Sequence, residues 1–443
     1  MQFNSIGFLF VFLPIFLILY VVAKSWIRTV ILVLGSIAFY GFACNWDLLD
    51  LGCLLAVTVV TYPVCLLLGK KGRGWLLGVS LGILAALLVF FKLYAGGRYL
   101  PVGMSFYLFQ TAAILIDTYR GKIQPEKNIL YHSEAVVMFP KILSGPMVSP
   151  QTLRDQSRGR STDFDRVHHG LQTFVLGLAM KVIVANRLGG FWNQGSVLGY
   201  DIISTGFAWT SLIAYALRLY LDFQGYSLMA IGLGRMLGYD LPHNFRDPYA
   251  ATGVAQFYRR WHITLGAWFR EYIYIPLGGN RKGQLVTILN LTVVWAFTGF
   301  WHGVGGNYLV WAGILLFCIV NERLWLGKLL EKTKVISHVY TVAVILLSWV
   351  PFAIGDWGQM VTFFGKLFGI GAIVANPLDF VAYGGHYVVP FTAGLILATP
   401  LPGFLWKKIK SDLVKDTICL VLFWISVFYI STAAQDPAMY SAF

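Results

Sequence analysis

Apolar runs of membrane length recur along the whole 443-residue chain, and that repetition leaves few folds open. In hydrocarbon every backbone N–H and C=O must be satisfied inside the protein, so such runs cross as α-helices. Hydrophobic residues make up 57% of the chain and charged residues only 12%, against about 25% charged in a soluble domain. The reading is an all-α polytopic membrane protein with roughly ten to twelve spans. A retained first span is expected at 6–23, because no basic stretch precedes it and no small-residue cleavage site follows. The next spans are read at 26–43, 48–69 and 75–93. The net charge of +14 is therefore no sign of nucleic acid, since Lys and Arg in short loops fix membrane orientation. Lys24 and Arg28 follow the first span, Asp47 and Asp50 the second, and Lys70, Lys71 and Arg73 the third. The positive-inside rule then puts the N-terminus outside. Cys44, Cys53, Cys65, Cys318 and Cys419 are scattered and form no CxxC pair, so neither a disulfide framework nor a thiolate metal site is indicated.

Several stretches interrupt this pattern. Residues 103–121 are polar in their early half for a lipid-facing helix. Residues 139–146 are too short and too broken by Pro and Gly to cross. They read as a re-entrant segment shielded by protein, or as an interfacial loop. Residues 152–169 mix Arg154, Arg158, Arg160 and Arg166 with Asp155, Asp163 and Asp165, and read as a solvated connection. A span at 207–221 is followed by Asp222 to Ser227 and a helix at 228–238 too short to cross alone. No internal repeat or separable soluble domain is evident, so residues 1–443 read as one integral membrane domain.

The chemistry-bearing residues concentrate between Gln256 and Gly303. His302 closes a largely apolar run of membrane length, between Trp301 and Gly303. A neutral imidazole there suits a general base, or a helix-end histidine hydrogen-bonded at the interface. Arg259 stands one helical turn before His262, and Trp261 and Trp268 are seven apart, so each pair is expected to share a helix face. Arg259, Arg260 and Arg270 could hold a phosphate or pyrophosphate such as a phosphopantetheine arm, or form a basic collar at the headgroups. Residues 276–281, Pro-Leu-Gly-Gly-Asn-Arg, read as a turn, without the strand or the Lys-Ser/Thr end of a phosphate loop. Asp222 follows Arg218 by one turn, as a buried pair or a helix-terminal carboxylate, and Asp117 near Arg120 poses the same choice. No HExxH, GxSxG or EF-hand pattern occurs.

Taken together, these blocks resemble the membrane-bound O-acyltransferase (MBOAT) family, in its bacterial branch of alginate and polysaccharide O-acetyltransferases. The resemblance rests on Gly103 to Gln110 with Ile116 to Gly121, Pro140 to Pro146, Asp222 to Ser227 and Arg259-Arg260-Trp261-His262. It continues through Arg270-Glu271-Tyr272, Pro276 to Arg281 and Trp301-His302-Gly303, in the family's order. It implies a helical bundle with re-entrant and short broken helices around a tunnel, the core at 102–313 and further spans at 1–101 and 314–443. His302 would carry the family's catalytic histidine role, and His262 that of its second histidine, lining the tunnel or orienting the donor. Arg259, Arg260, Trp261 and Trp301 are expected at the substrate, as are Asn280, Asp222 and Gln110. The resemblance implies no metal, no nucleic acid and no tightly bound cofactor. The co-substrate would be a cytoplasmic thioester, acetyl-CoA or an acylated carrier protein. The expected reaction is transfer of an acyl group, acetyl in the first reading, to a hydroxyl of an exported polysaccharide or of an extracytoplasmic relay protein. The expected location is the bacterial cytoplasmic (inner) membrane. D-alanyl transfer to teichoic acid is the alternative within the family, and transport without covalent chemistry is the alternative outside it. Gln224, Leu228, residues 304–307 and the tail at 436–443 depart from the branch pattern and leave the acceptor open.

Overall fold

The computed structural model describes residues 1–70, 72–94, 100–371 and 374–432. Lys71 and the tail at 436–443 lie outside them. The elements among the described residues are all helices. Nine of these helices are long and apolar enough to cross a membrane, and Phe8–Val22 is a shorter apolar one. The early spans form where hydropathy puts them, at Trp26–Ala43, Leu48–Leu68 and Gly74–Leu93. Asp47 starts the second of these by accepting from the Leu49 and Asp50 N–H groups, two donors that the first turn leaves open. All five cysteines are free.

The chain divides into two compact units. Among the described residues, the first holds those of Met1–Leu178, Tyr226–His243 and 419–432; the second holds those of Ala179–Gly225 and Asn244–Ile418.

In the first unit, the broken segment at 139–146 is buried in protein, as a re-entrant reading requires. Its helix, Phe139–Ile142, is only four residues long. The Phe139 ring lies 5.2 Å from Phe16 and 5.4 Å from Phe39. Its N–H donates to Ser36 Oγ at 3.0 Å, and Lys141 Nζ donates to the Ala135 carbonyl at 2.6 Å. Gly103, at the start of helix Met104–Tyr119, has a left-handed backbone with φ +68°. A Cβ there would stand 2.4 Å from the Ile142 carbonyl oxygen. Backbone cannot retreat as a side chain can, so Gly103→Ala should cost at least about 2 kcal/mol. A lowered unfolding midpoint of the detergent-solubilised protein is the check; an unchanged midpoint contradicts the clash.

Two expectations fail in this part of the chain. The stretch 152–169 is not uniformly solvated. Arg158 and Arg166 do make outlying pairs, with Glu126 at 2.7 Å and Asp240 at 2.9 Å. Arg160, however, turns inward and meets both Glu134 oxygens at 2.8 Å, with both side chains 3% exposed. Thr29 and Tyr239 also accept from its guanidinium. A buried arginine that makes this many hydrogen bonds is stabilised by long-range partners that no local pattern announces.

The second failure is the break read after residue 221. Thr205–Met236 is one continuous 32-residue helix that serves both units. Of the two alternatives for Asp222, the helix-terminal carboxylate fails with that break. Asp222 lies mid-helix because Lys181 donates to it, the two side chains being 4% and 1% exposed. A paired carboxylate needs no helix end to reach water. Lys181 belongs to a π-helical turn, Met180–Ala185, a widening that redirects side chains within a helix.

Candidate active site

The second unit gathers both marked histidines into one aromatic cluster. The chain does not run as one helix from Arg259 to Trp268, as the spacing suggested. Helix Val254–Tyr258 ends, and Ile263–Phe269 begins after a left-handed residue, His262, at φ 46° and ψ 52°. Arg259 and His262 therefore do not share a helix face, and neither do Trp261 and Trp268. Asn244 holds the bend. Its carbonyl accepts from the Ile263 N–H at 2.9 Å, and its side-chain oxygen accepts from Thr264 Oγ1 at 2.6 Å. His262 Nδ1 lies 3.3 Å from the same oxygen. Nδ1 is then the protonated nitrogen, and Nε2 keeps its lone pair. Burial lowers the His262 imidazole pKa from its ordinary value and keeps the ring neutral.

His302 is the last residue of helix Gln284–His302 and is 8% exposed. Gly303 follows it and packs so closely on Tyr308 that a Cβ there would stand 2.3 Å from that ring. Three rings meet the imidazole edge-on: Trp301 at 4.6 Å, Trp311 at 4.9 Å and Phe352 at 5.0 Å. Trp301 also reaches the His262 ring, at 6.2 Å, and so links the two histidines. Such a cage fixes the orientation of the imidazole through edge-to-face ring contacts.

A cavity of about 910 Å³ opens beside this cluster. Arg259, Arg270, Arg323 and Lys334 contribute four positive groups to its lining, against Glu322 and Glu331. Tyr258 and Trp295 form part of its wall, with their rings 4.9 Å apart. Trp295 lies 5.9 Å from Trp311, which touches His302. Two rings in series, Trp295 and Trp311, thus lie between the cavity and the buried imidazole.

The other sequence-marked residues disperse. Arg260 does not line the cavity; its guanidinium donates to the Asp247 carbonyl at 3.2 Å. Trp261 is core, 5.0 Å from Phe245 and 5.3 Å from Trp349. Asn280 is exposed in a turn where Gly278 and Gly279 have positive φ, as the turn reading expects. Asp222 is engaged by Lys181. Gln110 belongs to the first unit, 4% exposed beside a cavity of about 10 Å³ that Tyr107 and Lys141 also line. Among the described residues no group of three or more His, Cys, Asp or Glu side chains could hold a metal ion. Sequence reasoning missed Glu322, Arg323 and Lys334, all on the cavity wall. A clue lies in the local sequence: Glu322-Arg323 puts two adjacent charges into the otherwise apolar stretch 308–326.

The membrane-bound O-acyltransferase family model matches residues 128–345, which take in both histidines and the whole cavity lining. The chain is 34% identical to a probable alginate O-acetylase, AlgI, of Pseudomonas fluorescens, over 84% of this chain and 76% of that one. It is 31% identical to the peptidoglycan O-acetyltransferase of Helicobacter pylori, over 79% and 76%. It is 22% identical to the teichoic acid D-alanyltransferase of Bacillus subtilis, over 51% and 60%. With a family match on the segment that holds both histidines and the cavity, and 34% identity sustained over most of the chain, this protein belongs to the membrane-bound O-acyltransferase family and is a multi-pass membrane acyltransferase.

Proposed function

We propose that the enzyme moves an acetyl group from a cytoplasmic thioester to a hydroxyl of an exported bacterial polysaccharide, directly or through an extracytoplasmic relay protein. The observation that carries this reading is the basic cavity, with Trp295 and Trp311 in series between it and His302. The positive-inside rule puts Lys328, Lys332 and Lys334 on the cytoplasmic side of a bacterial inner membrane, and Lys334 lines the cavity. A donor carrying phosphates would enter there and meet Arg259 and Arg270. Its thioester end would pass these two rings toward His302.

At that point His302 takes the proton of the acceptor hydroxyl. The oxygen attacks the thioester carbonyl carbon, a C–O bond forms, and the C–S bond breaks. The thiolate leaves with the proton returned by the imidazolium, so the products are an O-acyl ester and a free thiol. With its Nδ1 proton on Asn244, neutral His262 offers Nε2 as an acceptor. That suits orienting an N–H or O–H of a substrate better than stabilising an oxyanion.

The names of the relatives favour acetyl over D-alanyl as the transferred group, since the O-acetylating relatives are more alike and cover more of the chain. Membership of an acyltransferase family favours covalent transfer over transport. The test is labelled acetyl-CoA, or an acetylated carrier protein, given to purified protein in lipid nanodiscs with an acceptor polysaccharide. Label should enter the polymer as an alkali-labile ester. Arg259→Ala and Arg270→Ala should each raise the donor KM about tenfold, the order expected when a hydrogen bond to a charged group is lost. Unchanged KM in both would remove the cavity from the donor path. Transfer from neither thioester, to the polysaccharide alone or with the periplasmic extract of the source cells added as relay, would sink the reading itself.

A further inference from the structure

Glu322 has no place in the chemistry just described, yet it is built into the cavity wall. It begins a π-helical turn, Glu322–Leu326, after helix Gly306–Asn321. The wide turn closes with the Gly327 N–H on the Glu322 carbonyl. A Cβ on Gly327 would stand 2.4 Å from that carbonyl oxygen, so the turn depends on a glycine there. The Glu322 carboxylate accepts from the Val254 N–H at 2.6 Å and from the Ala255 N–H at 3.0 Å. These are first-turn donors of helix Val254–Tyr258, which has no i−4 carbonyls to offer them. That five-residue helix ends at Arg259, whose own N–H closes back on the Ala255 carbonyl. A helix this short has little cooperativity of its own and keeps its place through outside contacts.

We infer that Glu322 is a positioning residue for the donor: it fixes the start of helix Val254–Tyr258 and thereby aims Arg259 into the cavity. This rests on the proposed role of the cavity as the thioester site. The bend at His262 is held separately, by Asn244. Loss of Glu322 should therefore disturb donor binding more than the chemical step. The sign of the effect separates positioning from charge. Removing a negative group from a cavity that takes an anion would, by charge alone, tighten donor binding. Losing the anchor loosens it.

The experiment compares wild type, Glu322→Gln and Glu322→Leu, purified in nanodiscs, with acetyl-CoA as donor. Leucine removes both acceptor oxygens and should raise the donor KM about tenfold or more, with kcat within about threefold. Glutamine keeps one acceptor oxygen and should stay within about threefold of wild type in KM. Gly327→Ala, which disturbs the turn but keeps the carboxylate, should raise KM as leucine does. A leucine variant with unchanged or lowered KM, or with the whole loss in kcat, overturns the inference. If wild type itself uses no thioester, the cavity reading fails, and Glu322 is judged by amide exchange over residues 254–258. Exchange there should accelerate in the leucine variant and not in the glutamine one; equal exchange in the two overturns it.

Discussion

Replacing His302 with glutamine should lower acyl transfer by about 10²- to 10⁴-fold, the range a positioned general base supplies, while the protein still inserts and folds, if the proposed base role holds. Glutamine is the instructive choice. Alanine would leave a hole among Trp301, Trp311 and Phe352, whose rings all stand within 5.0 Å of the imidazole, and a hole in a packed cluster costs stability by itself. Glutamine fills more of the space and can hydrogen-bond, but it cannot take a proton from an alcohol. Labelled acetyl incorporation measures the loss, and the unfolding midpoint checks the packing. Transfer within about tenfold of wild type, in protein with an unchanged midpoint, would show that the proton goes elsewhere.

The second large effect concerns stability. Lys181→Met or Asp222→Leu alone should cost about 3–5 kcal/mol, because each strands a charge in a place that is almost closed to solvent. The double replacement by apolar residues should recover most of that loss, since two well-packed hydrophobes can match a buried ion pair. Unfolding midpoints of the three variants decide the matter. A double variant no better than the worse single would mean that Asp222 serves some partner other than Lys181. Recovered acyl transfer in the double variant would further place Asp222 in the scaffold, outside the substrate-contacting set to which its motif assigned it.

What could be read from the sequence was what hydropathy encodes locally. The spans at Trp26–Ala43 and Leu48–Leu68 fall within a residue of their expected limits, because lipid demands the same apolar length wherever a helix crosses. Residues 276–281 turn where Pro and Gly say they should. The two histidines stand out through motif resemblance, and Trp301 joins them in space. Illegible were the features created by partners far along the chain. Lys181 lies 41 residues before Asp222, Arg160 reaches Thr29 across 131, and Glu322 caps a helix 68 residues before it. The bend at His262 has no glycine to announce it. Asn244 imposes it, and histidine tolerates the left-handed region better than most residues do. Spacing arguments across Arg259 to Trp268 failed for that reason.

The composition of the first unit also bears on the order of biogenesis. Its early portion, Met1–Leu178, is completed by Tyr226–His243 and by residues 419–432. A ribosome delivers these pieces in sequence, with the second unit emerging between them. The nascent N-terminal helices must therefore wait in the bilayer, partly unmatched, until helix Asp412–Thr432 is released. A stop before Asp412 would strip the oldest part of the chain of a packing partner, and membrane quality control would meet an unfinished N-terminal half.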